Sequence, residues 1–179
     1  MAKKGEISGY EIQKKTKPTA RFIMDHFTNE ELRETGIGLL DYFTGLRSTP
    51  LWYASNSFDV FYKSKRVCRL RIVPCNWEFN GGNPDNLRVD IYLPDKQTIE
   101  INLGDIDDVE RQLYFDGMNP CIHCCVRCSP GIIVNIGGVL SEEICHHKLT
   151  YINPALKYLH IFKKLIELRR QDITDGRIW

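Results

Sequence analysis

The sequence predicts an α+β fold, a mainly antiparallel sheet of four to five strands with helices packed on one face and a cysteine-rich C-terminal lobe. Three observations lead to this class. Apolar and polar residues alternate with period two in four segments between residues 58 and 103. Two pairs of these segments are joined by links short enough for hairpins. Segments with helical spacing of apolar residues come before and after them.

Composition limits the kind of protein. Hydrophobic residues make up 42% of 179, enough for a core without disulfides, and a charged share of 26% argues against wholesale disorder. The net charge of +1 argues against a protein whose main role is to neutralise nucleic-acid phosphates, although a local basic patch is compatible with it. No apolar run approaches about 20 residues, and no apolar stretch follows the N-terminal lysines. We therefore expect a cytoplasmic protein without a membrane span.

Charge is uneven at the N-terminus. Residues 1–21 hold six Lys or Arg against two Glu, a net charge of +4, and have little apolar periodicity. We expect a mobile basic arm there. The rest, residues 22–179, is predicted to be a single α+β domain, with a cysteine-rich lobe at 119–150 and a closing helix at 154–171.

The first strong helix is expected to begin at Thr28. Thr28 and Glu31 fit a reciprocal capping box, and apolar residues follow at helical spacing until Pro50 prevents continuation. The apolar positions are Leu32, Leu39, Leu40, Phe43 and Leu46.

Four strands are then predicted at residues 58–63, 66–73, 87–93 and 97–103. Ser64-Lys65 links the first two, and Pro94 to Lys96 links the last two. A helix capped by Asp105 should follow and end near Gly117, and Ile132 to Ile136 suit one more short strand. Asn153-Pro154 predicts the start of the last helix, which carries Lys163, Lys164, Arg169 and Arg170 near its end.

The cysteines carry the chemical hint. Cys121, Cys124 and Cys128 form C-x2-C-x3-C, and Cys145 follows seventeen residues after Cys128. Closely spaced thiolates in a turn, completed by a distant ligand, suit the tetrahedral coordination of Zn²⁺. We predict these four cysteines as the zinc ligands. Alternative ligands are His146, His147 and Cys125.

The cysteines are also compatible with roles that need no zinc. Seven cysteines without a secretory signal indicate reduced thiols, which can simply be packed in the fold. A redox enzyme or sensor using Cys145, beside His146 and His147, with one of the clustered cysteines is a second hypothesis. A third is weak nucleic-acid binding through the basic arm and the last helix, although the net charge argues against nucleic acid as a partner.

Familiar catalytic motifs are absent from the sequence, including G-x-S-x-G, the Walker loop, the dinucleotide fingerprint and H-E-x-x-H. No catalytic residue is assigned, and we expect a binding module for a small molecule or a protein rather than an enzyme. Trp52, Tyr53 and Trp77, near the ends of predicted strands, either line a ligand pocket or form the edge of the core.

One tract resembles a known module. It comprises C-x2-C-x3-C-S-P-G from Cys121 to Gly131, then Ile136-Gly137-Gly138, Ile144-Cys145, Asn153-Pro154 and the helix FKKLIELRR. It is similar to a C-terminal module of uncharacterised bacterial proteins, chiefly from anaerobic Gram-positive lineages, and covers residues 119–171. The resemblance implies that Cys121, Cys124, Cys128 and Cys145 are the aligned cysteines, whereas Cys125, His146 and His147 are local additions. It implies no substrate.

Overall fold

The computed structural model describes residues 10–75, 83–120, 131–145 and 147–178. Its helices are α1 (Tyr10–Thr16), α2 (Ala20–Met24), α3 (Glu30–Gly45), α4 (Lys96–Asn102), α5 (Asp108–Phe115) and α6 (Leu159–Thr174). Its strands are β1 (Leu51–Ala54), β2 (Ser57–Tyr62), β3 (Lys65–Val73), β4 (Asn86–Tyr92), β5 (Asn135–Ile136), β6 (Val139–Leu140) and β7 (Lys148–Ile152). Among the described helices, none is long and apolar enough to cross a membrane.

The α+β prediction is confirmed. Five strands form an antiparallel sheet in the order β1-β2-β3-β4-β7, and β5 and β6 form a separate two-stranded hairpin. The chain divides into two compact units, one of Met1–Val89 with Ile152–Leu159 and the other of Asp90–Tyr151 with His160–Trp179.

Three of the four strands predicted from alternation are present as β2, β3 and β4. Their apolar sides are buried, as in Phe58, Val60, Leu70 and Ile72. Period two places these side chains on one side of the pleat, so the alternation identified both the strands and their buried face.

The prediction of a strand at residues 97–103 is wrong, because the chain forms α4 there. Ile99 is 1% exposed whereas Ile101 is 80% exposed, which is incompatible with one shared strand face. Ile99 and Leu103 are four residues apart and both are buried, as the period of a helix requires. Asp95 is the N-cap of α4, since its side chain accepts a hydrogen bond from the backbone N–H of Gln97, and this cap sets where the helix begins.

Two strands of the sheet, β1 and β7, were not predicted. The strand expected at Ile132 to Ile136 is shorter, because only Asn135–Ile136 forms a ladder, with Val139–Leu140. Gly137 and Gly138 have φ angles of 55° and 78°, and they provide the two left-handed positions that a tight hairpin turn needs.

Helix starts differ from the prediction by one to several residues. Asn29, not Thr28, caps α3 by accepting from the Leu32 amide at 3.1 Å, and Asp107, not Asp105, caps α5. The last helix begins at Leu159 after a 3-10 turn at Leu156–Tyr158, later than expected. Asn153 has a φ of 50° and accepts a hydrogen bond from the Leu87 amide, so its side chain holds β4 instead of capping a helix.

Within the predicted basic arm, residues 10–21 include α1 and the start of α2, whereas residues 1–9 lie outside the described part. Gln13, on α1, is fully buried. Its side-chain Nε2 donates to Asn56 Oδ1 at 2.6 Å, and its side-chain Oε1 accepts from the backbone N–H of Asn56 at 2.8 Å. This paired hydrogen bond holds α1 against the turn between β1 and β2, because a buried amide needs its partners.

Asp85 joins the start of α3 to the end of β3. One carboxylate oxygen accepts from the Thr28 amide at 2.6 Å and the Asn29 amide at 2.7 Å, and the other from the Cys75 amide at 2.7 Å. Burial by itself raises the pKa of the Asp85 carboxyl, but these hydrogen bonds outweigh that effect and hold the pKa below its ordinary value. The ionised form therefore stabilises the fold.

We predict that Asp85→Asn lowers the free energy of unfolding at pH 7 by about 1–3 kcal/mol, because an amide NH2 would face backbone donors. The depressed pKa makes the carboxylate stabilise the protein at pH values above the unfolded pKa of about 3.9, and this contribution is lost as pH falls through the folded pKa. Urea denaturation from pH 7 to 3 should show the two proteins converging. Asp41→Asn, at an exposed carboxylate, is the control, and an equal loss there would contradict the prediction.

Candidate functional site

The backbone around Cys145 is paired on both sides. Its amide donates to the Asn119 carbonyl at 3.0 Å, and Ile144 forms an antiparallel bridge with Pro120. Ile144 also bridges to Ile132, with two reciprocal hydrogen bonds of 2.9 Å. Pro120 and Ile132 flank the segment 121–130 in the chain, so both flanks of that segment lie beside the residue that precedes Cys145.

Most of the predicted zinc ligands lie outside the described residues, namely Cys121, Cys124, Cys125, Cys128 and His146. Cys145 is described, is half-buried and is a free thiol. His147 is exposed, and its carbonyl accepts from the Leu93 amide at 3.0 Å. Within residues 10–75, 83–120, 131–145 and 147–178, no group of three His, Cys, Asp or Glu side chains is close enough to hold a metal.

Gly117 positions the chain that leads into Asn119 and Pro120. Its carbonyl accepts from the Thr150 amide on β7 at 2.7 Å. A β-carbon on Gly117 would overlap the Tyr151 ring and lie 2.6 Å from its hydroxyl oxygen. Tyr151 is buried and packs edge-on against Phe162, with ring centroids 4.9 Å apart, so the ring has little room to move. Only glycine fits here.

A cavity of about 240 Å³ adjoins the paired backbone and shares Pro120 and Ile144 with it. Apolar residues form most of its wall, and Ser141 and Glu142 are its polar members. The Ser141 hydroxyl accepts from the Val134 amide and donates to the Glu142 carbonyl, which fixes this part of the wall. The remaining lining residues are Phe115 and Met118. No pattern in the sequence predicts this cavity, because its walls come from residues that only tertiary pairing brings together.

Two of the three aromatic residues predicted to bind a ligand are described, and each has a structural neighbour. Trp52 is half-buried, and its indole N–H donates to Gln13 at 3.3 Å. Tyr53 is exposed, and the Arg69 guanidinium lies 4.2 Å from its ring centre. Trp77 lies outside the described residues.

Comparisons of the chain with protein-family models, curated proteins and solved structures found no match.

We predict that Gly117→Ala destabilises the protein by about 1–3 kcal/mol, because the new methyl group overlaps a ring that cannot move away. Thermal and urea unfolding measure the change. Gly45→Ala is the matched control, since a methyl group at that position meets nothing within 4 Å. This variant should not be destabilised, because alanine has the higher helix propensity. Equal stability of the two variants would mean that Tyr151 is not closely packed on Gly117.

Proposed function

We propose that the protein is a non-enzymatic binding module with a structural zinc site formed by Cys121, Cys124, Cys128 and Cys145. Its partner would be a small molecule or a protein. His146, His147 and Cys125 are the alternative ligands. The proposal includes a reducing, cytoplasmic setting in a bacterium, because free or zinc-bound thiols persist there.

The double pairing of Ile144 is the observation that supports the zinc site most. A tetrahedral zinc site needs four ligands around one point, so the proposed set requires Cys145 to lie close to the three clustered cysteines. Ile144 pairs with Pro120, directly before Cys121, and with Ile132, two residues after the segment 121–130. The chain therefore enters and leaves the cysteine cluster next to Cys145.

The cavity supports a binding role for the same region. Its wall is made mostly of apolar residues with two polar ones, Ser141 and Glu142, the general composition of a site for a small ligand or for a side chain of a partner. Pro120 and Ile144 belong both to its wall and to the backbone pairing. Zinc bound nearby would stabilise this wall, since the free energy of binding a structural metal adds to the free energy of folding.

The test is the metal content of the full chain, purified without chelator, together with that of two cysteine variants. We expect about one equivalent of zinc, and we expect Cys145→Ser to lose most of it and to unfold at a lower temperature. Cys75→Ser is the matched control, because Cys75 is also a half-buried free thiol but contacts Thr28. It should keep its zinc.

Less than a tenth of an equivalent of any transition metal would reject the zinc site. Thiol counting then separates the alternatives. A redox protein should lose two thiols together in mild peroxide, and Cys145→Ser should prevent that loss, whereas a zinc site should protect four thiols until chelator is added. Joint loss of two thiols from metal-free protein would therefore replace this proposal by the redox hypothesis.

A further inference from the structure

Positive charge is concentrated in strands β1 to β3. Residues 51–73 contain five Lys or Arg and one Asp, a net charge of +4, so the other 156 residues carry −3 within a total of +1. The basic residues are Lys63, Lys65, Arg66, Arg69 and Arg71. A chain that is almost neutral overall thus carries a second basic region besides residues 1–21, and this local charge favours contact with a polyanion.

The strand register places several of these residues on the face of the sheet opposite the core. Leu51 pairs with Asp59, and Asp59 pairs with Arg69, so one row crosses three strands. Directly opposed residues of antiparallel strands project from the same side. Phe61 pairs with Arg66, and Ser57 with Arg71. We call this surface, consisting of Tyr53, Phe61, Arg66, Arg69 and Arg71, the basic face.

Aromatic rings are accessible on the basic face. Tyr53 is 57% exposed and Phe61 is 36% exposed, whereas Phe58 on the other side of β2 is fully buried. The Arg69 guanidinium lies 4.2 Å from the Tyr53 ring centre, and that of Arg66 lies 5.7 Å from the Phe61 ring centre. Both guanidinium groups are therefore within cation–π range of an exposed ring, and surfaces that bind single-stranded nucleic acid combine the same basic and aromatic groups.

Asp59 holds this arrangement in place. It is buried, and Arg69 binds it through Nε at 2.6 Å and Nη2 at 3.0 Å, while Arg66 Nη2 lies 2.8 Å from its second oxygen. One carboxylate between two guanidinium groups leaves a net positive charge. It also fixes both side chains before any ligand arrives, which reduces the entropy lost on binding.

We propose that the basic face binds single-stranded nucleic acid. Phosphates would contact the basic side chains, of which Arg71 is exposed, and unpaired bases would stack on Tyr53 and Phe61. A duplex is the poorer ligand, because its bases are stacked on one another and cannot reach a ring on a sheet surface. This surface differs from the basic arm and the last helix considered from the sequence.

Fluorescence anisotropy of labelled single strands of about 12 nucleotides, at about 50 mM salt, tests the proposal with the full chain. We expect binding that weakens with salt and is tighter for oligo(U) or oligo(dT) than for a duplex of equal length. Arg71→Glu should weaken oligonucleotide binding roughly ten-fold, because the substitution reverses a charge that would lie beside the phosphate backbone of the nucleic acid. Tyr53→Ala should weaken it about five- to 100-fold through lost stacking, while Tyr53→Phe keeps the affinity.

Lys164→Glu is the matched charge reversal, since Lys164 is exposed on α6, and Phe22→Ala removes an exposed ring elsewhere. Both should bind as the parent does, and circular dichroism melts should show that every variant is folded. The proposal is overturned by binding that Arg71→Glu leaves unchanged, by an equal loss in Lys164→Glu, or by binding of anionic lipid vesicles without binding of oligonucleotides. The anisotropy assay reports oligonucleotide binding and not metal content. Failure of this proposal can therefore be distinguished from failure of the zinc proposal.

Discussion

Burial of aspartate carboxylates is the constraint on which much of the structure depends. The buried charged residues among those described are all aspartates, namely Asp59, Asp85, Asp90 and Asp172. A buried carboxylate is strongly destabilising unless donors surround it, so each one needs partners that the local chain alone does not provide. Asp172 receives the Thr98 hydroxyl at 2.6 Å and the Asp95 amide at 2.7 Å, which ties α6 to the start of α4.

The same requirement connects the core to both candidate sites. Asp90 accepts from the Thr150 hydroxyl at 2.8 Å, and the Thr150 amide in turn donates to Gly117, from which the chain continues to the pairing beside Cys145. In the other unit, Asp59 orients the two arginines of the basic face. Buried carboxylates thus help to determine where the side chains of the two candidate sites lie, since a fully bonded buried carboxylate has few alternative arrangements.

Prediction from the sequence was accurate where the pattern is local and unambiguous. Phe58 and Val60 on β2, and Leu70 and Ile72 on β3, alternate with polar residues and are buried as expected. At residues 97–103 the apolar positions fit a strand and a helix alike. Ile99 and Leu103 are four residues apart, and this spacing places two side chains on the same face of a strand and also on the same face of a helix. The Asp95 cap was the signal that would have separated the two, and it was available in the sequence.

The candidate sites divide in the same way. The amino-acid sequence by itself determined the spacing of the cysteines, the local excess of basic residues in β1 to β3 and the strands that alternation marks, because these depend on neighbours along the chain. Only the tertiary structure decided that Ile144 lies between Pro120 and Ile132, and that Arg69 lies over Tyr53. Such contacts join residues far apart in sequence, and their partners are selected by burial and hydrogen-bond satisfaction across the fold rather than by any local preference.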